Sequence, residues 1–303
     1  MTMDGVLVVD KPAGPTSHDV VARVRRALGT KRIGHTGTLD PLATGVLPLV
    51  IGRATRLASL LSGADKEYVA GIRMGLATDT YDAAGHVGPP PEPPAGIDVA
   101  RIDAALDQFR GIFDQSPPSY SAKKIDGVAA YKLARRNMPV QPRPVSVTVS
   151  HLSLEAYDQG LARVRVSASA GFYVRSLAHD LGKGLGCGAY LETLRRVRAG
   201  AFAEDAAIAL DTIERESVDG ARRIMPLERL LPEVPAVVLN ERGVRRAAHG
   251  NELSSEDLVE PHAGAGIGRT TEGRWRLLDG SGMLLAIAVA RPGGLLHPVI
   301  VLV

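Results

Sequence analysis

A chain of 303 residues, 45% hydrophobic and 23% charged, is long enough to bury a large core and, beside it, a small second unit; its net charge is only +3. One cysteine, Cys187, excludes an internal disulfide and a cysteine-based zinc site, and no apolar run approaches the ~18 residues of a membrane helix. The start, MTMDGVLVVDKP, has no basic stretch before an apolar run and so no visible signal peptide, which with the cysteine usage points to a cytosolic protein.

GVLVVDKP is expected to be a short buried strand ended by Pro12. TSHDVVARVRRALG should follow as a helix: Thr16 or Ser17 can cap it, Val20, Val21, Val24, Ala27 and Leu28 form an apolar stripe, and Gly29 ends it. Next comes GHTGTLDPLATGVL, residues 34–47, a Gly/Thr/Pro loop around one carboxylate, Asp40, that runs into an apolar strand at 46–51. A short helix is expected around 54–62, an alternating strand in KEYVAGIRMG, a Pro-rich loop in HVGPPPEPPAG and an amphipathic helix near 98–110. DQSPPSYSAKKIDG reads as a polar stretch, 127–136 as a basic helix, and VSVTVSHLSLEAYD and ARVRVSASAG as strands. FYVRSLAHDLGKGLG looks helical until its glycines intervene. IMPLERLLPEVPAVVLN, with three prolines, reads as a linker, and short apolar runs between glycine turns after 236 suggest a small β-rich unit. Strands and helices mix without regular βαβ alternation. The expected class is therefore α+β with a mainly antiparallel mixed sheet and flanking helices, divided into 1–230 and 236–303.

Arg outnumbers Lys 29 to 7, which by itself says little, but charge is unevenly placed. Residues 119–151 hold Lys123, Lys124, Lys132, Arg135, Arg136 and Arg143 against Asp126, and 161–200 hold six Arg and Lys183 against Asp180 and Glu192, while 236–303 is balanced. Such concentration is what a polyanion binder needs.

Several chemistries lack their signature. There is no Gly-Lys-Ser/Thr phosphate loop and no strand-linked G-x-G-x-x-G; GKGLGCG follows a helix rather than a strand, and reads as a helix end. The histidines, among them His18, His35, His86, His151 and His179, show no H-x-x-x-H spacing. No cofactor or metal is expected, and the absence of a glycine-rich cofactor loop speaks against a SAM-dependent methyltransferase. Asp40 is the leading candidate for chemistry, since a carboxylate held rigidly in a loop of small residues can act beside an electrophile; TLDP also suits a plain turn.

GHTGTLDPLATGVL closely resembles the active-site motif of the bacterial tRNA pseudouridine-55 synthases, the TruB-type enzymes that isomerise a uridine of the T-loop. The resemblance continues in order through DKPAGPTSHDVV, KEYVAGIRMGLATDTYDAAG, SPPSYSAKKIDGVAAYKLAR and GFYVRSLAHDLGKGLGCGAYLETLRR, covering residues 4 to 200; the last third matches only loosely the small PUA-like RNA-binding domain of such enzymes. It implies that Asp40 is the nucleophile and that Arg175 pairs with it and keeps it charged. Tyr68 would stack on the target uracil within reach of a proton transfer, with Tyr173 and Leu194 in the substrate pocket. His35 would enter the RNA loop where bases have been flipped out. Lys11 would support the catalytic loop or touch RNA. The inserted segment of about 116–145, with Lys123 and Lys124, would grip phosphates of the T-arm. The implied partner is tRNA, bound by a monomer with no membrane and no protein partner. Two other readings fit the same residues: an RNA chaperone with an idle pocket, and a guide-RNA-dependent subunit like the archaeal and eukaryotic relatives.

Overall fold

The computed structural model describes residues 3–88, 96–121, 124–125, 128–129, 142–216, 222–259 and 273–303. The first strand, β1 (Gly5–Lys11), is buried along almost its whole length because both of its faces are covered. Leu7 and Val9 point into one core, Val6 and Val8 into another on the opposite side of the sheet. Helix α1 (Ser17–Leu28) opens on a reciprocal cap: Thr16 Oγ1 accepts from the Asp19 N–H at 3.1 Å, and the Asp19 carboxylate accepts from the Thr16 N–H at 2.9 Å. Val20, Val21, Val24 and Leu28 form its buried stripe, and Gly29, left-handed at φ 63°, ends it as expected.

β2 (Ile33–His35) and β3 (Thr44–Ile51) flank the Asp40 loop. A tight turn over Gly52–Leu57 leads into the short α2 (Ala58–Ser62), then β4 (Lys66–Met74), α3 (Val99–Leu106) and β5 (Gly111–Gln115). Part of the stretch expected to be merely polar, Asp114 and Gln115, thus belongs to a strand. The basic segment expected as a helix at 127–136 lies mostly outside the described residues; of it only Val128 and Ala129 are described, and they form β7 (Val128–Ala129), antiparallel to β6 (Lys124–Ile125). β8 (Val145–Asp158) and β9 (Leu161–Ala168) follow.

Helix α4 (Val174–Leu185) continues straight through Gly182 and Gly184, which were expected to interrupt it. Gly182 is there for closeness, not flexibility: a Cβ would stand 2.1 Å from the Ala189 nitrogen at the start of β10 (Ala189–Ala199). The chain then passes through β11 (Phe202–Ala203), β12 (Ile208–Ala209), α5 (Leu210–Arg215) and β13 (Met225–Pro226).

These strands form one sheet in the order β12–β1–β3–β10–β4–β9–β8–β5, with β2, β11 and β13 attached at its sides. Pairing is antiparallel except for β1 with β12 and β3 with β10. One face is covered by helices, through Val20 and Val24 of α1, Ile102 and Leu106 of α3, and Leu177 and Leu181 of α4. The other is covered near β1 and β3 by the segment read as a linker. Leu227, Leu230 and Leu231 are buried there against Val6, Val46 and Val50, together with Leu284, Ile287 and Leu302. Prolines suggested a loose connection; burial of three leucines, each contributing about 1.5–3 kcal/mol, makes the segment part of the core.

Its end forms β14 (Ala236–Val238), and α6 (Glu241–Ala248), β15 (Arg274–Leu278), β16 (Leu284–Arg291) and β17 (Leu295–Val301) follow. The four strands form their own sheet in chain order, parallel only between β14 and β15. The expected α+β class with a β-rich C-terminal region is what the chain adopts.

Candidate active site

The Asp40 loop is fastened from three sides. Ser17, the first residue of α1, accepts the Leu39 N–H at 2.8 Å and donates to the Leu39 carbonyl at 3.0 Å. From beneath, the Lys11 ammonium donates to the carbonyls of Pro12 (2.9 Å), Pro41 (3.3 Å) and Ala43 (2.7 Å). Lys11 is fully buried, and these contacts are with the backbone of the loop. Burial pushes its pKa down to about 8, against the pull of Asp40. From the side, Arg196 of β10 donates through Nε to the Val46 carbonyl at 2.7 Å and through Nη2 to the Gly37 carbonyl at 3.0 Å.

Arg175, from the first turn of α4, meets Asp40 at two points, Nε to Oδ2 at 2.9 Å and Nη2 to Oδ1 at 3.3 Å. The guanidinium is 6% exposed and the carboxylate 34% exposed, so the pair is a buried cation presenting a reachable anion. Arg175 is itself fixed by the Thr80 carbonyl (3.3 Å), the Tyr120 carbonyl (2.9 Å) and, at 3.6 Å, by Asp82. Asp82 is oriented by the Thr80 hydroxyl at 2.6 Å and the Ala84 N–H at 3.1 Å. Sequence reasoning missed Asp82. ATDTYDAAG carries only the Asp/Thr signature of turns, and no spacing connects position 82 to position 40.

Burial pushes the Asp40 carboxyl above its ordinary value of 3.8; Arg175 opposes this, Asp82 adds to it, and Lys11 opposes it. A guanidinium partner alone was expected to keep the group charged. In place, it offsets desolvation only in part.

Asp40 opens into a cavity of about 290 Å³ whose walls include Tyr68, Tyr173, Arg175 and Leu194, residues far apart in the chain. Tyr68 lies on β4 opposite Arg196 of β10, and Leu194 opposite Ala70. Tyr173 precedes α4; its backbone N–H donates to Gln115 Oε1 at 2.7 Å, and its carbonyl accepts from Gln115 Nε2 at 3.0 Å, so β5 holds it in place. His35 is not in the cavity wall. It ends β2 with its ring edge-on to His18, centroids 5.2 Å apart, and burial pushes its pKa down. Lys123 and most of the inserted segment lie outside the described residues, and Lys124 is placed only as a strand residue of β6. A larger apolar cavity of about 770 Å³, bounded by Leu60, Phe202, Leu230 and Trp275, holds none of the residues expected from the sequence.

The charge argument needs correction at 161–200, because its six arginines are not a free basic face. Arg163 and Arg165 pair with Glu155, Arg165 and Arg198 with Glu67, and Arg195 with Asp10 and Glu204. Arg175 and Arg196 are buried. No helix among the described residues is long and apolar enough to cross a membrane.

The chain resembles known proteins along nearly its whole length. The family model described as TruB family pseudouridylate synthase, N-terminal domain, matches residues 25–174, and that of the tRNA pseudouridylate synthase B C-terminal domain matches 175–232. The tRNA pseudouridine synthase B of Solibacter usitatus is 43% identical over 303 residues, spanning 99% of this chain and all of that protein. Its counterpart in Geobacter sulfurreducens is 42% identical over 96% of this chain and 95% of its own. Among solved structures, an H/ACA RNP bound to a substrate RNA containing 2'-deoxyuridine aligns with a TM-score of 0.74 at 25% identity, over 99% of this chain and 86% of that one. A Cbf5-Nop10-Gar1 complex aligns at 0.71 with 29% identity, over 95% and 79%. With an acid–guanidinium pair at the head of its cavity and near full-length likeness to these relatives, the chain belongs to the TruB family of pseudouridylate synthases.

Proposed function

We propose that this pseudouridine synthase acts on uridine 55 in the T-loop of tRNA, with Asp40 as the group that starts the reaction. The isomerisation breaks the N1–C1′ bond and makes a C5–C1′ bond; C5 gives up its proton and N1 takes one, so atoms balance without a redox partner or a nucleotide triphosphate. The observation that carries the reading is the two-point contact of Asp40 with a buried Arg175 at a cavity sized for a nucleoside fragment. A carboxylate so fixed and one third exposed is oriented to attack C1′ or C6, or to assist departure of the base.

The target uridine is stacked within the RNA and has to be turned out to reach Asp40. In this proposal Tyr68 stacks on the extruded uracil, and its hydroxyl lies close enough to exchange a proton. Tyr173 and Leu194 close the remaining sides, and His35, beside rather than inside the cavity, fills the space left in the loop. The 116–145 segment and the β-rich region after 236, read as PUA-like, bind the arm of the tRNA. The chain acts as a monomer without protein partners, in the cytoplasm; near-complete coverage of bacterial relatives named as tRNA enzymes supports this over a guide-RNA-dependent subunit.

The test is incubation of purified protein with unmodified tRNA, followed by site-resolved mapping of pseudouridine. Product at position 55 without added proteins is expected, and Asp40→Asn should lower turnover by about 10³-fold or more while tRNA still binds. Wild-type protein that binds tRNA yet yields no pseudouridine would leave only the chaperone reading. Activity that needs a guide RNA would overturn the stand-alone one.

A further inference from the structure

We infer that the part of the cavity wall built by Lys66 and Arg196 over Gly37 is an anion subsite that takes a phosphodiester flanking the extruded uridine; this rests on the function proposed above. The charged residues lining the cavity are Asp40, Lys66, Arg175 and Arg196, three cations against one carboxylate. Arg175 is matched by Asp40 and Asp82. Lys66, 7% exposed, and Arg196, 1% exposed, have no carboxylate within ion-pair distance among the described residues, and Asp65, an exposed neighbour, acts on Lys66 only from further off.

Carbonyl groups anchor both cations but do not balance them. Lys66 donates to the carbonyls of Ser62 (2.5 Å) and Ala64 (2.6 Å), which leaves one of its three N–H groups. Arg196 holds Val46 and Gly37 as described above. Burying two cations without an anion is costly, and a neutral donor would make the same carbonyl bonds with less desolvation. The arrangement is therefore incomplete without a negatively charged ligand. A uracil base is neutral; the anionic parts of an RNA strand are its phosphodiesters.

Position adds a second line of argument. Arg196 stands directly across from Tyr68 in the β10–β4 pairing, and Lys66 lies two residues before Tyr68, so the three side chains share one face of the sheet. The loop opposite them carries Gly37, whose backbone has no positive φ and so does not require glycine. What Gly37 provides is space: a Cβ there would stand 3.4 Å from Arg196 Nη1 and 3.8 Å from Lys66 Cε, in the gap between the two cations.

The experiment measures binding of an unmodified T-arm hairpin across a salt series by wild type, Lys66→Met and Gly37→Ala, with inorganic phosphate as competitor. Lys66→Met should weaken binding about tenfold and flatten the slope of log K against log salt by roughly 0.7–1, the loss of one phosphate contact. Gly37→Ala should act in the same direction with an unchanged melting temperature, because its new contacts are of ordinary van der Waals length. Phosphate should compete with RNA on wild type and less on either variant. Unchanged salt slopes in both variants overturn the inference and leave the cations as loop anchors. Phosphate competition lost without any change in RNA binding assigns the site to a free anion, which overturns it equally. Should Lys66→Met fail to fold, Gly37→Ala decides alone. Absence of pseudouridine from the wild-type reaction defeats the functional reading instead, a separate measurement.

Discussion

Strand β10 carries Arg195 and Arg196 side by side, and the two have opposite fates. Arg195 is on the outer face of the sheet, 40% exposed and paired with Asp10 and Glu204, and a separate lattice there joins Arg165 to Glu67 and Glu155. Arg196 points the other way, is 1% exposed at the cavity wall, and fastens the Asp40 loop by two carbonyls. Strand alternation separates them, and a register shift between Arg196 and Arg198 returns the next arginine to the outer lattice, where it meets Glu67. The same residue type is thus a replaceable surface ion on one face and part of the site's frame on the other. Burial and partner, rather than abundance, decide what an arginine does.

The sharpest way to break this contrast is at Arg175. Arg175→Met leaves Asp40 and Asp82 without their shared cation, and turnover should fall by about 10²–10³-fold, with a smaller loss for Arg175→Lys. Single-turnover assays measure it, and a loss of less than tenfold would remove Arg175 from the frame of the site. The same substitution bears on pH. Burial already holds the Asp40 carboxyl above 3.8, so the acid limb of kcat/KM should lie above the ordinary carboxylate range, and Arg175→Met, by deleting the strongest opposing influence, should move it further up. A carboxyl raised on folding also favours the folded state below 3.8, and that contribution to stability is lost as pH rises through the folded pKa.

Arg196→Met against Arg195→Ala tests the comparison directly. The first strips donors from two buried carbonyls and should cost about 2–4 kcal/mol, seen as a melting temperature lower by several degrees. The second removes an exposed, screened pair and should cost under about 1 kcal/mol. Equal losses would mean that the two faces do not differ as described. An effect confined to alkaline pH belongs to Lys11 and Lys66. With both pushed down to about 8 from 10.5, the unfolded chain binds more protons between those values, so their contribution to stability rises as pH climbs through that window. Lys66→Met should flatten this part of the stability–pH curve, as denaturant titrations at pH 8 and 10 would register.

Much of the fold could be read locally. The reciprocal cap at Thr16 and Asp19, the stripe of α1 and the stop at Gly29 depend on residues within one or two turns of each other. Where distant parts of the chain meet, local reading failed. Glycines in α4 looked like breakers because the contact of Gly182 with the start of β10 is invisible from either segment alone. The three prolines after Met225 suggested a tether, while the leucines between them find the far face of the sheet. Excess positive charge at 161–200 looked like an RNA footprint because its acids, Asp10, Glu67 and Glu155, lie outside that window.

By itself, the sequence determined the α+β class, the run of elements and the loop that bears Asp40, since propensity, capping and turn chemistry act over a few neighbouring residues. Family resemblance anticipated that Arg175 pairs with Asp40, 135 residues away; only the tertiary structure decided that Asp82 stands behind the pair and that Lys11 is buried beneath the loop. Side-chain spacing along a chain carries no record of which strands become neighbours, and it is sheet pairing, with the desolvation that follows, that sets the charge and orientation of every group in the cavity.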